Sequence, residues 1–325
     1  MSYVVAIDEN GLGPRLGPLI VTAVTAKCEG EGAKVAFGRP GRAFSERLGD
    51  SKGLVAYGHS ELGEAWARAI AERTGRGGEA RDPDALFAAL SLDTSESLRT
   101  HCPPEHERQC WGRETERFVA DDGIVAKVGR DLTRLAKKGV EVVRVEVSLV
   151  CTAAINRAVD RGASRFVVDL HAMERLVLAA RASVDEDIVA ACGKVGGYDR
   201  YSDHFGPLGG RLHAVVCEGR ARSEYQFPGI GRVAFVRDAD ETHLLVGMAS
   251  LVGKWVRDLM MMRVVRYHRE LDEGLPMASG YHDPVTTRFI AQSALSRRKR
   301  GVPDECFVRR ALPPPPPPPS PRGAS

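Results

Sequence analysis

The sequence lacks the segments that mark membrane and secreted proteins. No apolar run approaches the roughly 20 residues that a membrane-spanning helix needs. The apolar start, Tyr3 to Ile7, is too short for a secretory signal and runs directly into acids. The seven cysteines lie at irregular spacings that form no disulfide framework, and their odd number fits reduced thiols. These absences predict a soluble protein of the cytoplasm.

Excess charge of one sign and internal repeats are also absent. The 46 Lys and Arg residues nearly balance the 43 Asp and Glu residues, which gives a formal net charge of +3. Charge alone therefore argues neither for nor against a nucleic-acid partner. At 325 residues and 43% hydrophobic, the chain can bury one or two cores.

The chain does have alternating strand and helix patterns. Six segments read as strands because they are β-branched and apolar: YVVAI, PLIVTAVTA, EVVRVEVSLV, RFVVDL, RLHAVVCEG and GRVAFVRDA. The first two are joined by a short connection and should pair antiparallel. Three segments read as helices: CTAAINRAVDRGA, HAMERLVLAARA and a long one over about 242–273. Strands followed by strand–helix alternation predict an α/β domain with a mixed sheet.

The long predicted helix carries small residues, Gly247, Ala249, Ser250 and Gly253, which would let it lie close on a sheet. The less regular stretch over about 75–139 is interpreted as an insertion or lobe. Seven consecutive prolines, Pro313 to Pro319, begin an extended, solvated tail over 311–325. The folded domain should therefore span 1–310.

Four acids have related positions in this pattern. They are Asp8 and Glu9 after the first predicted strand, Asp169 at the end of RFVVD, and Asp240 just before the long helix. Sites collect at strand ends in α/β sheets, so these acids could converge. Converging carboxylates repel, and all-oxygen ligation suits Mg²⁺ or Mn²⁺. Two such ions about 3.5–4 Å apart can activate water and stabilise the leaving oxygen of a phosphodiester. The alternative for any single acid is that it caps the next helix.

Five blocks of this sequence resemble type 2 ribonucleases H (ribonuclease HII). AIDENGLGPRLGPLIVTAV is similar to the family signature D-E-A-G-R-G-P-x-x-G-P, and GDSKGL is similar to D-S-K-K-L. VVDLHAME stands where the third acid is expected. DADETHLLVGMASLVGKWVRD resembles the family's K-A-D or K-G-D block with its A-A-A-S-I-I-A-K-V-x-R-D. SGYHDPVTTRFI resembles the S-G-Y-P-S-D-P-x-T form of archaeal and eukaryotic members.

The resemblance implies a ribonuclease H-like fold, α/β with a mixed central sheet flanked by helices. It implies hydrolysis of the RNA strand of RNA–DNA hybrids, or cleavage of duplex DNA at embedded ribonucleotides, with two Mg²⁺ or Mn²⁺ ions. The catalytic, metal-binding acids would be Asp8, Glu9, Asp169 and Asp240. The substrate-binding residues would be Gly11, Leu12, Gly13, Lys52 and Tyr281, with Lys52 on a phosphate and Tyr281 on the sugar beside the cleaved bond.

The sequence departs from the family at three places. Leu12 replaces the arginine of G-R-G, so a phosphate contact is lost, although the flanking glycines keep the backbone open to a ribonucleotide. Arg15 could compensate. Asp238 replaces the basic residue before the fourth acid; it could bind metal or lie on the opposite face, and in an extended chain it would share a face with Asp240. Leu170 and His171 are not the usual followers of the third acid.

Three other segments could carry function. HCPPEHERQC places Cys102, His106 and Cys110 four apart, but the spacing matches no standard zinc pattern, and a surface insertion is the preferred interpretation. GKVGGYDRYSDHF could line a nucleic-acid groove through Lys194, Tyr198 and Tyr201, or form a mobile loop. The basic run SRRKRG could hold a phosphate backbone or simply be solvated.

Three functions compete on this evidence. The first is an active metal-dependent ribonuclease. The second is a nuclease of the same fold with altered specificity, which Leu12 and Asp238 favour. The third is a binding protein that holds hybrids without cutting them, and the intact set of acids disfavours it.

Overall fold

The apolar, β-branched runs of the sequence form a seven-stranded mixed sheet. The computed structural model describes residues 1–49, 51–77, 80–103, 108–112 and 116–310, with the side chains at 51 and 52 excepted. The strands are β1 Ser2–Asn10, β2 Leu19–Cys28, β3 Val140–Val150, β4 Ile188–Gly193, β5 Ala214–Cys217, β6 Arg222–Phe227 and β7 Gly231–Val236. Their order in the sheet is β3-β2-β1-β4-β7-β6-β5.

The pairing is antiparallel at both ends of the sheet and parallel in the middle. β2 pairs antiparallel with β1 and β3, as the short β1–β2 connection predicted. β4 lies parallel between β1 and β7, and β6 joins β7 and β5 antiparallel. The ends of β1, β4 and β7 that lead into the loops therefore meet at one edge, which is where sites collect in open α/β sheets.

Helices cover both faces of this sheet. They are α1 Gly32–Ala36, α2 Ser51–Leu54, α3 Glu61–Thr74, α4 Pro83–Leu90, α5 Ser95–Arg99, α6 Asp122–Lys137, α7 Thr152–Asp160, α8 Arg165–Ala182, α9 Ala239–Thr242, α10 Leu244–Arg269, α11 Pro284–Gln292, α12 Ala294–Lys299 and α13 Asp304–Phe307. Val4 and Ala6 of β1 belong to the apolar cluster with α3, α6 and α10, whereas Val5 and Ile7 belong to the cluster with α8. This two-sided burial explains why β1 is apolar without alternation. The predicted α/β class, with a mixed sheet flanked by helices, is confirmed.

The prediction of a strand at RFVVDL was wrong. These residues begin α8, and Ser164 caps the helix by accepting a hydrogen bond from the backbone N–H of Val167 (3.3 Å). Phe166 and Leu170 lie one turn apart on the buried face of the helix. The β-branched pair Val167–Val168 suggested a strand, but the cap and the tertiary packing decide for a helix. Strands β4 and β6 were not predicted, because β4 contains two alanines and ends in glycine and β6 is largely polar.

The long helix lies against the sheet as its small residues predicted. It begins at Leu244, after the separate short helix α9. A Cβ added at Gly253 would lie 2.0 Å from Oδ1 of Asn10 and 2.8 Å from Oγ1 of Thr22, so only glycine permits this approach to β1 and β2.

The described part of the stretch 75–139 packs onto the sheet-covering helices. Its helices α4, α5 and α6 contribute to the same apolar cluster as α3 and α10, through Leu86, Phe87, Leu98, Val128 and Leu132. The C-terminal helices form a third cluster with the end of α10. In this cluster Val308 bridges Leu16, which brings the chain's last described residues onto the glycine-rich loop. No described helix is long and apolar enough to cross a membrane.

Candidate active site

A cavity of about 560 Å³ opens at the sheet edge where β1, β4 and β7 end. Three groups of residues line it: the acids Asp8, Glu9 and Asp240, the loop Gly11, Leu12 and Gly13, and Tyr281. Seven of the nine site residues that the resemblance implied therefore border one space. Gly193 and Lys194 from the end of β4 complete this side of the cavity.

Asp8 is at the centre of the acidic group. It is almost fully buried, and the Ser250 hydroxyl is hydrogen-bonded to it. Burial raises the pKa of Asp8 well above its ordinary value, and the neighbouring carboxylates of Glu9 and Asp240 raise it further. Lys254 acts in the opposite direction. The carboxylates of the cavity thus repel one another, which disfavours the ionised form of Asp8.

Asp169 reaches this group from helix α8 and not from a strand end. It is fully buried and does not line the cavity. Neither of its carboxylate oxygens has a hydrogen-bond partner among the described residues. Burial, and after it the nearby Asp8, raises the pKa of Asp169 well above its ordinary value. A buried carboxylate without partners is costly unless it is protonated or meets a cation.

Asp240 lies on the short helix α9, one turn beyond the end of β7. Asp238 precedes this helix in the left-handed conformation (φ 52°), the one described non-glycine residue with positive φ. The chain from Asp238 to Asp240 is therefore not extended, so the shared face considered for an extended chain does not apply. Both line the cavity, and the half-exposed Asp238 is ion-paired with Arg237 (3.3 Å).

The glycine-rich loop forms part of the wall of the cavity. Gly11 has φ 99°, a backbone conformation that residues with a side chain rarely adopt. A Cβ at this position would also lie 2.8 Å from Nε of Arg257, so both the backbone and the space require glycine. Gly13 is exposed. The Leu12 side chain is half-buried and packs against the apolar cluster that contains α8. Leu12 thus has an apolar contact that a charged side chain could not make.

Two buried arginines hold this loop from behind. Arg309 donates from Nε to the carbonyl of Gly17 (2.8 Å) and from Nη1 to the carbonyls of Gly11 and Leu12. Arg165 also donates to the Leu12 carbonyl (3.4 Å). Burial, and after it Arg165, lowers the pKa of Arg309 to about 9, which leaves it charged at neutral pH. Because the C=O and N–H of a trans peptide point in opposite directions, these contacts turn the loop's amide N–H groups away from the arginines.

One face of α10 supplies site residues that the sequence analysis did not assign. Ser250, Lys254, Arg257 and Asp258 are spaced four, three and one apart, which places them together on a helix, and all four line the cavity. Burial raises the pKa of Asp258 to about 6. A signal was available, because these residues stand in SLVGKWVRD, the block that resembles the family's S-I-I-A-K-V-x-R-D.

Tyr281 borders the cavity with nearly half of its side chain exposed, and Arg257 packs on its ring. The side chain of Lys52 lies outside the described residues; its backbone belongs to α2, and the nearby Val55 and Tyr57 line the cavity. The basic run SRRKRG forms most of α12. There Arg300 is ion-paired with Glu270 (3.1 Å), so part of the run's charge is used internally.

The segment GKVGGYDRYSDHF contributes less to the cavity than its aromatics suggested. Tyr201 is fully buried and stacks on Phe235 with 3.9 Å between ring centroids, so it belongs to the core. Tyr198 stacks on Phe166 (3.7 Å) and does not line the cavity. Lys194 lines it, but its ammonium group is ion-paired with Asp199 (3.0 Å).

The chemistry of the acidic group fits a hard divalent cation. Carboxylate oxygens are the ligands that Mg²⁺ and Mn²⁺ prefer, and the unpartnered oxygens of Asp169 beside Asp8 are a charge arrangement that a cation would relieve. As the side chains are oriented, no three acidic, His or Cys groups in the described ranges are close enough to hold one ion. The acidic group therefore fits a divalent cation by its charge and by its oxygen donors, and not by the present positions of its side chains.

No protein-family model and no curated protein sequence matches this chain. Among solved structures it is similar to RNase HII of Archaeoglobus fulgidus in its complex with PCNA, with a TM-score of 0.41 and 16% identity over 94% of this chain and 92% of that one. It is also similar to a mutant of Bst-RNase HIII (TM-score 0.40, 12% identity, 90% and 70% covered). Bst-RNase HIII in complex with Mn²⁺ gives a TM-score of 0.38 and 10% identity, with 90% and 71% covered. At these values the likenesses assign neither a family nor an activity to this chain.

Proposed function

We propose that this protein is a metal-dependent endonuclease of the ribonuclease H type that hydrolyses RNA in RNA–DNA hybrids or at embedded ribonucleotides. The observation that carries the proposal is the electrostatic contact of Asp8 with Glu9, Asp169 and Asp240, beside the glycine-rich loop and Tyr281. These acids come from β1, α8 and α9. The alternative, that each acid caps the helix that follows it, does not explain why they lie close together.

In this proposal the four acids hold one or two Mg²⁺ or Mn²⁺ ions. When bound, such ions activate water and stabilise the leaving oxygen of a phosphodiester. The loop Gly11–Gly13 lies close to the sugar–phosphate backbone because glycines leave its amides accessible. Tyr281 stacks on the sugar and reads its shape. Lys254 and Arg257 add positive charge on the α10 side, where the substrate's phosphates pass.

The decisive experiment is a cleavage assay with three duplexes of one sequence: an RNA–DNA hybrid, a DNA duplex with one embedded ribonucleotide, and plain DNA. We expect cleavage of an RNA-containing duplex with Mg²⁺ or Mn²⁺, and none with chelator. Asp8→Asn should abolish it, because the change removes a carboxylate at nearly constant volume. Asp185→Asn, an exposed carboxylate in the turn after α8, is the matched control. Cleavage by Asp185→Asn but not by Asp8→Asn, purified in the same way, would exclude a contaminating nuclease.

A second function, a nuclease of this fold with altered specificity, is favoured by the apolar contact of Leu12. It predicts equal cutting of plain DNA and hybrid, with the same loss in Asp8→Asn. Hybrid binding without cleavage by the natural protein would instead indicate a non-cleaving binding protein.

A further inference from the structure

Four of the seven cysteines lie near one another, and none of them lines the acidic cavity. Cys102 follows α5, Cys110 lies in the described segment 108–112, Cys151 caps the start of α7, and Cys306 is in α13. The remaining three lie elsewhere: Cys28 and Cys192 are buried in the two clusters that cover the sheet, and Cys217 is exposed on β5. The first four are scattered along the chain and are brought near one another by the tertiary structure.

A small cavity of about 20 Å³ is bounded by Cys110, Cys151 and Cys306. A volume of this size accommodates one water molecule or one ion. Burial, followed by the neighbouring thiols of Cys151, Cys102 and Cys306, raises the pKa of Cys110. Burial, followed by Cys151 and Cys102, raises the pKa of Cys306 to about 12. The pKa of Cys151 is also raised by burial and then by Cys102, so each of the four thiols is an electrostatic neighbour of the other three.

Hydrogen bonds place these segments beside one another independently of the thiols. Gln109 donates from Nε2 to the carbonyl of Cys306 (2.9 Å). Arg157 of α7 is hydrogen-bonded through Nη2 to Nδ1 of His101 (2.7 Å), next to Cys102. Cys151 Sγ accepts a hydrogen bond from the backbone N–H of Ala154 (3.4 Å), which fixes this cysteine at the first turn of α7.

We propose that Cys102, Cys110, Cys151 and Cys306 form a structural Zn²⁺ site. Four cysteine ligands are a usual tetrahedral set for structural zinc. A cavity of this volume admits a single ion and not an iron–sulfur cluster. All four cysteines are unpaired in the structure. The site is separate from the acidic cavity and does not depend on the function proposed for it.

Binding requires the thiols to move closer to one another. In the described ranges no three His, Cys, Asp or Glu side chains are close enough to hold an ion as they are oriented. A cysteine sulfur moves by about 3 Å between staggered rotamers, and a bound zinc ion deprotonates its thiols, which removes the burial penalty from the metal-bound form. The zinc alternative weighed for HCPPEHERQC included His106, which lies outside the described residues, and it did not consider Cys151 and Cys306, which are distant in sequence.

The site would anchor the chain's last described residues. Zinc would fix α13 to the start of α7, and three residues beyond Cys306 lies Arg309, which holds the glycine-rich loop. Zinc would therefore act as a structural clamp on the loop through Arg309. Its loss should lower the melting temperature of the whole protein.

The test uses the full-length protein, purified under reducing conditions from zinc-supplemented cells. We expect about one zinc per chain by elemental analysis. In a Zn²⁺ titration of the stripped protein, we expect the protein to compete with a chromogenic chelator for the metal. Co²⁺ substitution should give the intense thiolate-to-metal absorption of a tetrahedral sulfur site. Cys306→Ser and Cys110→Ser should each bind Zn²⁺ at least tenfold more weakly, whereas the exposed Cys217→Ser is the matched control and should bind as the natural protein does.

Three results would overturn the proposal. One is that the natural protein binds Zn²⁺ no more tightly than Cys306→Ser in the titration. Failure of the stripped natural protein to bind Zn²⁺ would have the same meaning, and it requires no folded variant. Another is the finding of fewer than seven free thiols in denaturant without reductant, which would mean a disulfide. The third is iron with visible iron–sulfur absorption in place of zinc.

Discussion

The guanidinium of Arg257 lies over the ring of Tyr281, with 4.3 Å between its Cζ atom and the ring centroid. Arg257 is almost fully buried, and it also donates from Nη2 to the carbonyl of Ser279 (2.9 Å). The same guanidinium thus supports the ring and the chain that leads to it. A cation–π contact of this kind contributes roughly 0.5–2 kcal/mol, enough to hold a half-exposed ring at one edge of the cavity.

If the ring stacks on substrate, its aromatic face is what matters and its hydroxyl is not. Tyr281→Ala should weaken binding of an RNA–DNA hybrid by about 1–3 kcal/mol, roughly 5- to 150-fold, whereas Tyr281→Phe should stay close to the natural protein. Fluorescence anisotropy with labelled hybrid in the presence of Ca²⁺ measures this without requiring cleavage. Equal weakening in both variants would show that the hydroxyl, and not stacking, makes the contact.

The sequence predicted the long and regular parts of the molecule well. β1 and β2 were found because each has an apolar run of five or more residues, and α10 because its apolar residues recur every three or four positions. The third acid was placed on the wrong type of element, since Val167 and Val168 favour a strand locally while the Ser164 cap and core packing favour a helix. Local preference could not detect that competition.

The residues that hold the glycine-rich loop were less predictable from the sequence than the acids. Arg165 and Arg309 hold the loop by donating hydrogen bonds to backbone carbonyls. Because every residue has a backbone carbonyl, no pattern of residue types predicts such a contact. The four-cysteine group was equally hidden, because its members are scattered along the chain. Ser250 was recognised only as a small residue, although it also contacts Asp8.

Leu12 should resist replacement by the arginine of the family motif. The variant Leu12→Arg loses the apolar contact with the α8 cluster and adds a charge near Arg165 and Arg309. We expect the free energy of unfolding to fall by about 1–2 kcal/mol and cleavage not to increase. Leu12→Met, which preserves the apolar contact, is the control. Tighter binding by Leu12→Arg that weakens with salt would instead mean that the loop only lacks a phosphate contact.

Two adjacent arginines should differ sharply in their effect on stability. Arg309→Gln leaves buried carbonyls of the loop without their donor, at a cost of about 1–3 kcal/mol. Arg310 forms a half-exposed ion pair with Asp160 (2.9 Å), so Arg310→Gln should cost about 0–1 kcal/mol. Urea denaturation should show a lower midpoint with an unchanged slope for Arg309→Gln. Similar midpoints for the two variants would contradict the proposed role of Arg309 in holding the loop.

Glu174 should make the protein's stability fall as pH rises, and Glu174→Gln should remove that dependence. Glu174 is buried on α8, and burial raises its pKa from 4.5 to about 7, although its Oε2 accepts backbone N–H groups from Leu208 (2.7 Å) and Gly206 (3.0 Å). Between these two pKa values the unfolded chain has released the proton and the folded protein still holds it. The stabilisation is therefore fully present below about pH 4.5 and is lost as pH rises through about 7.

A glutamine keeps an oxygen acceptor for both N–H groups and carries no charge at any pH. Relative to the natural protein, Glu174→Gln should be about equal in stability at pH 5 and more stable at pH 8 by on the order of 2–3 kcal/mol, from about 1.4 kcal/mol for each unit of pKa. Urea denaturation at both pH values measures the difference, and the exposed Glu186→Gln serves as the matched control. Parallel pH dependence of the natural protein and Glu174→Gln would show that Glu174 is not the group that titrates on folding.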